Sequence, residues 1–222
     1  RVHFLAGAEA VNIWTGTFHA FGLDTIRKHH ALFGVSTDPR VVDTSEAIAL
    51  LEDALPALDI KHYLNLLEPA LALRDVLRAI ARAKDELCTP ERYAELAAAM
   101  LKAAETPEAV VAAEKAAEVA IVYRHYDERL RALKAVDYGD LIMRPTLMMR
   151  DDADFATWMR SRFSHILVDE YQDINRASAM LVHALAGSGD ALWVVGDARQ
   201  SLYRFRGASA ANIARFEQDY GS

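Results

Sequence analysis

Two apolar runs that each stop at a carboxylate constrain this chain more than any other feature. The first is Ile166-Leu167-Val168, followed by Asp169-Glu170-Tyr171-Gln172-Asp173. The second is Ala191-Leu192-Trp193-Val194-Val195, followed by Gly196-Asp197. A short apolar run that ends abruptly at acids predicts a buried parallel strand. Open α/β sheets place their ligands outside the carboxyl ends of such strands, so the acids are expected at a crevice. Beyond the second run, Ala198-Arg199-Gln200-Ser201-Leu202-Tyr203-Arg204-Phe205-Arg206-Gly207 alternates cations with aromatics. The chemistry is expected at this pair of strand ends.

Composition narrows the class. The chain has 222 residues, 52% hydrophobic and 26% charged, which is enough for a sizeable core in one large domain or two small ones. A net charge of −7 argues against a wholly basic nucleic-acid binder but is compatible with a local basic groove. The single cysteine, Cys88, excludes an internal disulfide and any multi-cysteine zinc site, and suits a reducing cytoplasm. The eight histidines show no metal-ligand spacing; His29-His30 reads as a solvated helix end. No apolar run approaches the ~20 residues needed to span a bilayer, and no signal-peptide layout opens the chain. Arg1-Val2-His3-Phe4 and Tyr220-Gly221-Ser222 both read as cut ends, so a fragment of a longer protein is expected.

Taken in order, Val11-Asn12-Ile13-Trp14-Thr15-Gly16-Thr17 predicts a short strand, with Thr17 then capping a helix that Gly34 closes. Asp43 and Glu46 stand in capping-box relation to a helix whose buried stripe is Ile48, Leu51 and Leu55. From there to about residue 135 the pattern is helical. Pro69 opens one helix with Leu73, Val76, Leu77 and Ile80 at helical spacing. Arg74, Arg78 and Arg82 share a neighbouring face, either as solvated charges or as phosphate contacts. Thr89-Pro90-Glu91 and Thr106-Pro107-Glu108 each mark a helix start, with a capping hydroxyl, a proline and an acid facing the helix dipole. Val136-Asp137-Tyr138-Gly139-Asp140 ends the helical block and opens a new helix. Asn175 to Ala186 fits a helix between the two acid-tipped strands. The expected architecture is an α/β core interrupted by a large all-α insertion.

Nucleotide hydrolysis on such a core needs a phosphate cradle, a carboxylate for Mg²⁺ and a group that orients water. Asp169 is placed to hold Mg²⁺ through its waters, and Glu170 to polarise the attacking water; acids at this position also serve simply as helix caps. Gln200 can hydrogen-bond a terminal phosphate without adding negative charge. Arg204-Phe205-Arg206 joins a π-face for a base to guanidinium groups for phosphates, as single-strand binders do, or else forms a surface salt-bridge loop around a buried Phe205. No Gly-x-x-x-x-Gly-Lys-[Ser/Thr] run occurs in the chain, so the phosphate cradle is missing from it.

Together these segments resemble the UvrD/Rep-type superfamily 1 DNA helicases. Asp169-Glu170-Tyr171-Gln172-Asp173 looks like motif II of that family, and Val195-Gly196-Asp197 through Ala208 looks like motif III. Thr17-Phe18-His19-Ala20-Phe21 resembles its Thr-Phe-His DNA-contact motif. Asp137-Tyr138-Gly139-Asp140-Leu141-Ile142 resembles the return of its helical insert, and Ala83-Lys84-Asp85-Glu86-Leu87-Cys88-Thr89-Pro90 a run inside that insert. Arg199 stands where most members carry an acid, a flavour closer to the RecB/AddA type.

The resemblance implies ATP and Mg²⁺ as cofactors, with Asp169 on the metal, Glu170 activating water and Gln200 sensing the γ-phosphate. It also implies single-stranded DNA contacts at Thr17, His19, Tyr203, Phe205 and Arg206, on a motor that moves 3′ to 5′ and unwinds duplex DNA in repair or recombination. Residues 1–23 and 137–222 would form part of a RecA-like core of the P-loop NTPase type, and residues 24–136 the inserted helical subdomain. The Walker A segment would precede residue 1 and a second RecA-like domain would follow residue 222. The segment alone is then expected to be inactive, with an open sheet edge that invites self-association. An inactive helicase-fold scaffold or DNA-binding module is the alternative.

Overall fold

The computed structural model describes residues 13–64, 67–197, 216 and 220. The described chain is mostly helical, with two small parallel sheets. Helix α1 spans Phe18–Lys28, and strand β1, Val41–Val42, leads into α2, Thr44–Glu52. A short 3₁₀ turn at Leu55–Ala57 precedes α3, Pro69–Asp85, then α4, Pro90–Ala103, and α5, Pro107–Ala132. Strand β2, Val136–Asp137, is followed by α6, Asp140–Asp151, and α7, Ala153–Ser161. Strand β3, Ile166–Val168, ends in a 3₁₀ turn at Tyr171–Asp173; α8, Arg176–Ala186, then returns the chain to β4, Leu192–Val194.

Local chemistry places most of these boundaries. The side chains of Thr17, Thr89, Thr106 and Asn175 each accept a hydrogen bond from a first-turn amide, satisfying donors that a helix start leaves unpaired. Asp43 and Glu46 close a reciprocal capping box at α2. The predicted strand before Thr17 does not form within residues 13–17. Its β-branched residues have no partner strand there, and Trp14 instead donates from Nε1 to Asp24 at 3.0 Å and packs edge-on against Phe21.

The helical stripes build two of the four buried clusters among the described residues. Ile48 and Leu51 of α2, Leu73, Val76 and Ile80 of α3, and Val122, Tyr123, Tyr126 and Leu130 of α5 form one. Each fully buried aliphatic side chain there contributes about 1.5–3 kcal/mol. Glu118 of α5 ties the loop beneath this core, accepting from the backbone N–H groups of Lys61, His62 and Tyr63 at 2.7, 2.9 and 3.0 Å. The other core joins Phe21 of α1 to Ile142 and Met149 of α6, Phe155 and Met159 of α7, and Leu181 of α8. Among the described residues no helix is long and apolar enough to cross a membrane.

Both strand pairs are parallel. Val41 and Val42 lie opposite Val136 and Asp137, and Ile166, Leu167 and Val168 lie opposite Leu192, Trp193 and Val194. The predicted burial of β3 and β4 holds on one face only. Val168 packs with Tyr171, Ile174 and Val182, whereas Leu167, Trp193 and Val195 are 78%, 65% and 66% exposed. Side chains alternate across a strand, and only the face turned towards α8 meets a packing layer within the described residues.

Candidate functional site

Strand β3 delivers two acids to its carboxyl end. Val195 N donates to Val168 O at 2.8 Å and Tyr171 N donates to Val195 O at 2.9 Å, so the ladder continues past both strands into the turn. Asp169 is exposed and its Oδ1 accepts from Glu170 N at 2.9 Å. Glu170 takes the left-handed conformation, with φ 53° and ψ 41°, which a non-glycine residue adopts only when its surroundings hold it there. The buried Gln172 supplies part of that hold. Its Nε2 donates to Glu170 Oε2 at 2.6 Å, and its Oε1 accepts from Asp197 N at 3.0 Å. A Cβ on Gly196 would stand 2.7 Å from Gln172 Oε1, so the close approach of the β4 end to this amide requires glycine.

The turn is rich in hard oxygen donors. Among the described residues no cluster of three or more His, Cys, Asp or Glu is arranged to hold a metal ion by itself. Mg²⁺ needs no such cage, because it keeps most of its waters and binds through one or two carboxylates plus substrate phosphates. Asp173 Oδ1 is buried without a hydrogen-bond partner among the described residues. A divalent cation fits that setting.

A second constellation lies where α1 meets α6. At Gly22 an added Cβ would overlap the Leu141 carbonyl oxygen, at 1.6 Å, so the two backbones touch there. That contact brings His19 against Tyr138, with ring centroids 3.7 Å apart and planes 17° from parallel. Burial pushes the His19 pKa down to about 4, leaving a neutral imidazole at neutral pH. Tyr138 remains 62% exposed, and the stacked pair presents an uncharged aromatic surface to solvent. Thr17 is exposed, but its hydroxyl is engaged in capping, accepting from Ala20 N at 3.2 Å.

Beneath Tyr138 lies a buried ionic cluster. Lys84 Nζ donates to Asp137 Oδ2 at 2.7 Å and Asp140 Oδ1 at 2.8 Å, and Arg144 reaches Asp140 Oδ2 at 3.2 Å. Asp140 Oδ2 also accepts from Asp137 N at 3.2 Å, and Asp137 Oδ1 accepts from Asp140 N at 2.9 Å. Burial alone would lower the Lys84 pKa, but Asp140 and Asp137 hold its ammonium above the ordinary lysine value. Burial alone would raise Asp140, but Lys84 and Arg144 hold it below the usual carboxylate range. This cluster ties the end of α3 to the residues that flank Tyr138.

Of the residues singled out in the sequence, Asp169 and Glu170 thus share one turn, and Thr17 and His19 share the start of α1. Gln200, Tyr203, Phe205 and Arg206 lie outside the described residues. Arg74, Arg78 and Arg82 are exposed along α3, with Arg78 paired to Asp75 at 3.1 Å. Three residues were missed. Gln172 carried no role, and Tyr138 was read only as part of a returning segment. Lys84 did leave a signal: it continues the buried stripe of Val76 and Ile80 at i+4 and i+8, where an unpaired lysine would be untenable.

Two adjacent acids thus stand at a parallel strand end, and a neutral aromatic stack lies at the start of a separate helix. The family model for the UvrD/REP helicase N-terminal domain matches residues 1–221, and the chain belongs to that family. It is 32% identical over 222 residues to the ATP-dependent DNA helicase PcrA of Bacillus subtilis strain 168, covering 99% of this chain and 27% of that protein. The ATP-dependent DNA helicase UvrD1 of Mycobacterium tuberculosis strain H37Rv is 37% identical over 230 residues, again with 99% and 27% coverage. The ATP-dependent DNA helicase Rep of Escherichia coli K12 is 30% identical over 216 residues, with 97% and 29% coverage. The chain therefore spans little more than a quarter of the length of these relatives.

Proposed function

We propose that this chain carries part of the ATPase site and part of the DNA path of an ATP-dependent DNA helicase that translocates 3′ to 5′ on single strands in repair or recombination. The observation that carries the reading is the Asp169-Glu170 turn, hydrogen-bonded through Gln172 to the end of the neighbouring strand, in a chain of the UvrD/REP family. Residues 1–23 and 137–222 belong to a RecA-like core, and residues 24–136 to a helical insert. Asp169-Glu170-Tyr171-Gln172-Asp173 acts as motif II and the run from Val195 to Ala208 as motif III.

Asp169 would hold Mg²⁺, which would supply neutralising positive charge to the phosphates of bound nucleotide. Glu170 is placed to accept a proton from the attacking water. Gln200 reports the γ-phosphate to the DNA-contacting residues Tyr203, Phe205 and Arg206. His19 and Tyr138, stacked and uncharged, offer a face for a base, and Thr17 lies on the same path.

Glu170→Gln in the native protein tests this directly. ATP turnover is expected to disappear while nucleotide binding persists. Wild-type turnover in that variant would remove Glu170 from the reaction, and retained DNA binding with no turnover in the unmodified protein would support an inactive scaffold instead.

A further inference from the structure

Gln172 is 1% exposed, and both ends of its amide are engaged. Its orientation is fixed by chemistry. The Glu170 carboxylate only accepts and the Asp197 N–H only donates, so Nε2 must face the first and Oε1 the second. The opposite rotamer of the amide would break both bonds at once.

We infer that Gln172 is a positioning residue for ATP hydrolysis: it aims the Glu170 carboxylate and couples that aim, through the same amide, to the backbone at Asp197 from which the chain leads towards Gln200. The inference rests on the function proposed above and deepens it. Three features of the turn carry it. Glu170 sits in a left-handed conformation that would relax without lateral support, and Gln172 reaches its side chain from two residues away. A Cβ at Gly196 would crowd the Gln172 oxygen at 2.7 Å, so glycine there lets the amide keep its place. The two strand ends are already in hydrogen-bonded register through Val168, Tyr171 and Val195, so the amide joins two segments that the ladder holds side by side.

An amide suits this position better than the other side chains that could reach it. A lysine or arginine cannot accept from the Asp197 N–H, and an acid cannot donate to Glu170. An apolar side chain would leave the carboxylate free to turn. A neutral donor fixes the direction of the carboxylate and leaves its charge intact. Movement at Asp197 then shifts the acceptor end of the amide and with it the aim of Glu170, linking the DNA-contacting run to the hydrolytic carboxylate through one side chain.

Three variants of the native protein test this, measured for ATP turnover with and without saturating oligothymidylate, KM for ATP, oligothymidylate affinity and thermal midpoint. Gln172→Glu keeps an acceptor for Asp197 N–H but cannot donate to Glu170. Gln172→Met removes both bonds at similar length. Gly196→Ala leaves Gln172 in place and pushes its oxygen aside, which serves if the buried substitutions fail to fold. All three are expected to lower kcat by about tenfold to a hundredfold. KM for ATP and oligothymidylate affinity should stay within about twofold, the split expected when only transition-state alignment is lost. All three variants should also lose DNA stimulation, because each breaks at least one end of the link between Asp197 and Glu170. Kcat within about twofold of wild type in all three would overturn the inference, as would a parallel decline of kcat, KM, affinity and midpoint, the mark of a merely structural residue. Glu170→Gln serves as the control. Turnover lost there but kept in the Gln172 variants rejects the positioning role alone, and turnover kept there rejects the hydrolytic assignment and this inference with it.

Discussion

Asn175 grips the last residue of helix α3 while capping helix α8. Its Nδ2 donates to Asp85 Oδ1 at 2.6 Å, and its Oδ1 accepts from Ser178 N at 2.9 Å. The two neighbours of Asp85 reach other elements: Lys84 binds Asp137 and Asp140, and Glu86 lies 3.6 Å from Arg176. Three consecutive residues thus fasten the end of α3 to both strand-linked parts of the fold.

Replacing Asn175 by Ala removes a cap and strands a half-buried carboxylate. The expected loss is about 1–3 kcal/mol of unfolding free energy in a urea titration. Asn175→Ser keeps a capping oxygen but is too short to reach Asp85, so it should recover only part of the loss. Equal stability of Ala and Ser variants would show that the contact with Asp85 contributes nothing.

Two groups near these contacts titrate in opposite senses. Burial raises the Asp85 pKa from 3.8 to about 6, with the Asn175 hydrogen bond opposing and Glu86 adding to the rise. The native state therefore holds a proton that the unfolded chain releases, and this stabilisation is complete below pH 3.8 and lost as pH rises to about 6. Burial lowers His19 from 6.5 to about 4, so its contribution is complete above pH 6.5 and lost as pH falls towards 4. The stability difference between wild type and Asp85→Asn should fall from pH 4 to 6, and that between wild type and His19→Phe should rise from pH 4 to 6.5. A difference curve that stays level across its window contradicts the corresponding assignment.

Lys84→Met leaves Asp137 and Asp140 buried together with only Arg144, on Asp140, to offset their charge. Breaking one side of a buried ion pair is expected to cost about 3–5 kcal/mol. Adding Asp140→Asn to Lys84→Met should return part of that loss, because the remaining acid no longer faces a like charge. A double variant no more stable than Lys84→Met would argue that packing, not charge, dominates the site.

Tyr138→Ala exposes one face of His19 and should weaken binding of a single strand by about 1–3 kcal/mol, while Tyr138→Phe should bind normally. Fluorescence anisotropy with a labelled oligonucleotide reads both. Unchanged affinity in the Ala variant would remove the stacked pair from the DNA path.

The legible parts of this fold were those set by neighbours in sequence. Thr17, Asp43 with Glu46, Thr89 and Thr106 all cap where their spacing predicts, since the partner amides lie within one turn. The acid-tipped strands also pair in parallel as their composition predicts. Less legible were contacts that close over long separations. Lys84 meets Asp137 and Asp140 across 53 and 56 residues, and nothing in the local pattern names those partners. The stack of His19 on Tyr138 depends on the close approach at Gly22, which is a property of two helices and not of either one. Periodicity read β3 as buried on both faces, because it registers which residues are apolar and not whether a layer covers them.

The parallel pairing of Val41 with Val136 closes a loop of roughly 95 residues for only two residues of strand. Loop-closure entropy at that length is about 4 kcal/mol, more than two or three backbone hydrogen bonds return at about 1 kcal/mol each. The bridge cannot lead folding. The helices between its two halves must already be packed before Val41 and Val136 find each other, so this small sheet registers last, and its amides should be among the earliest to exchange with deuterium in the native protein.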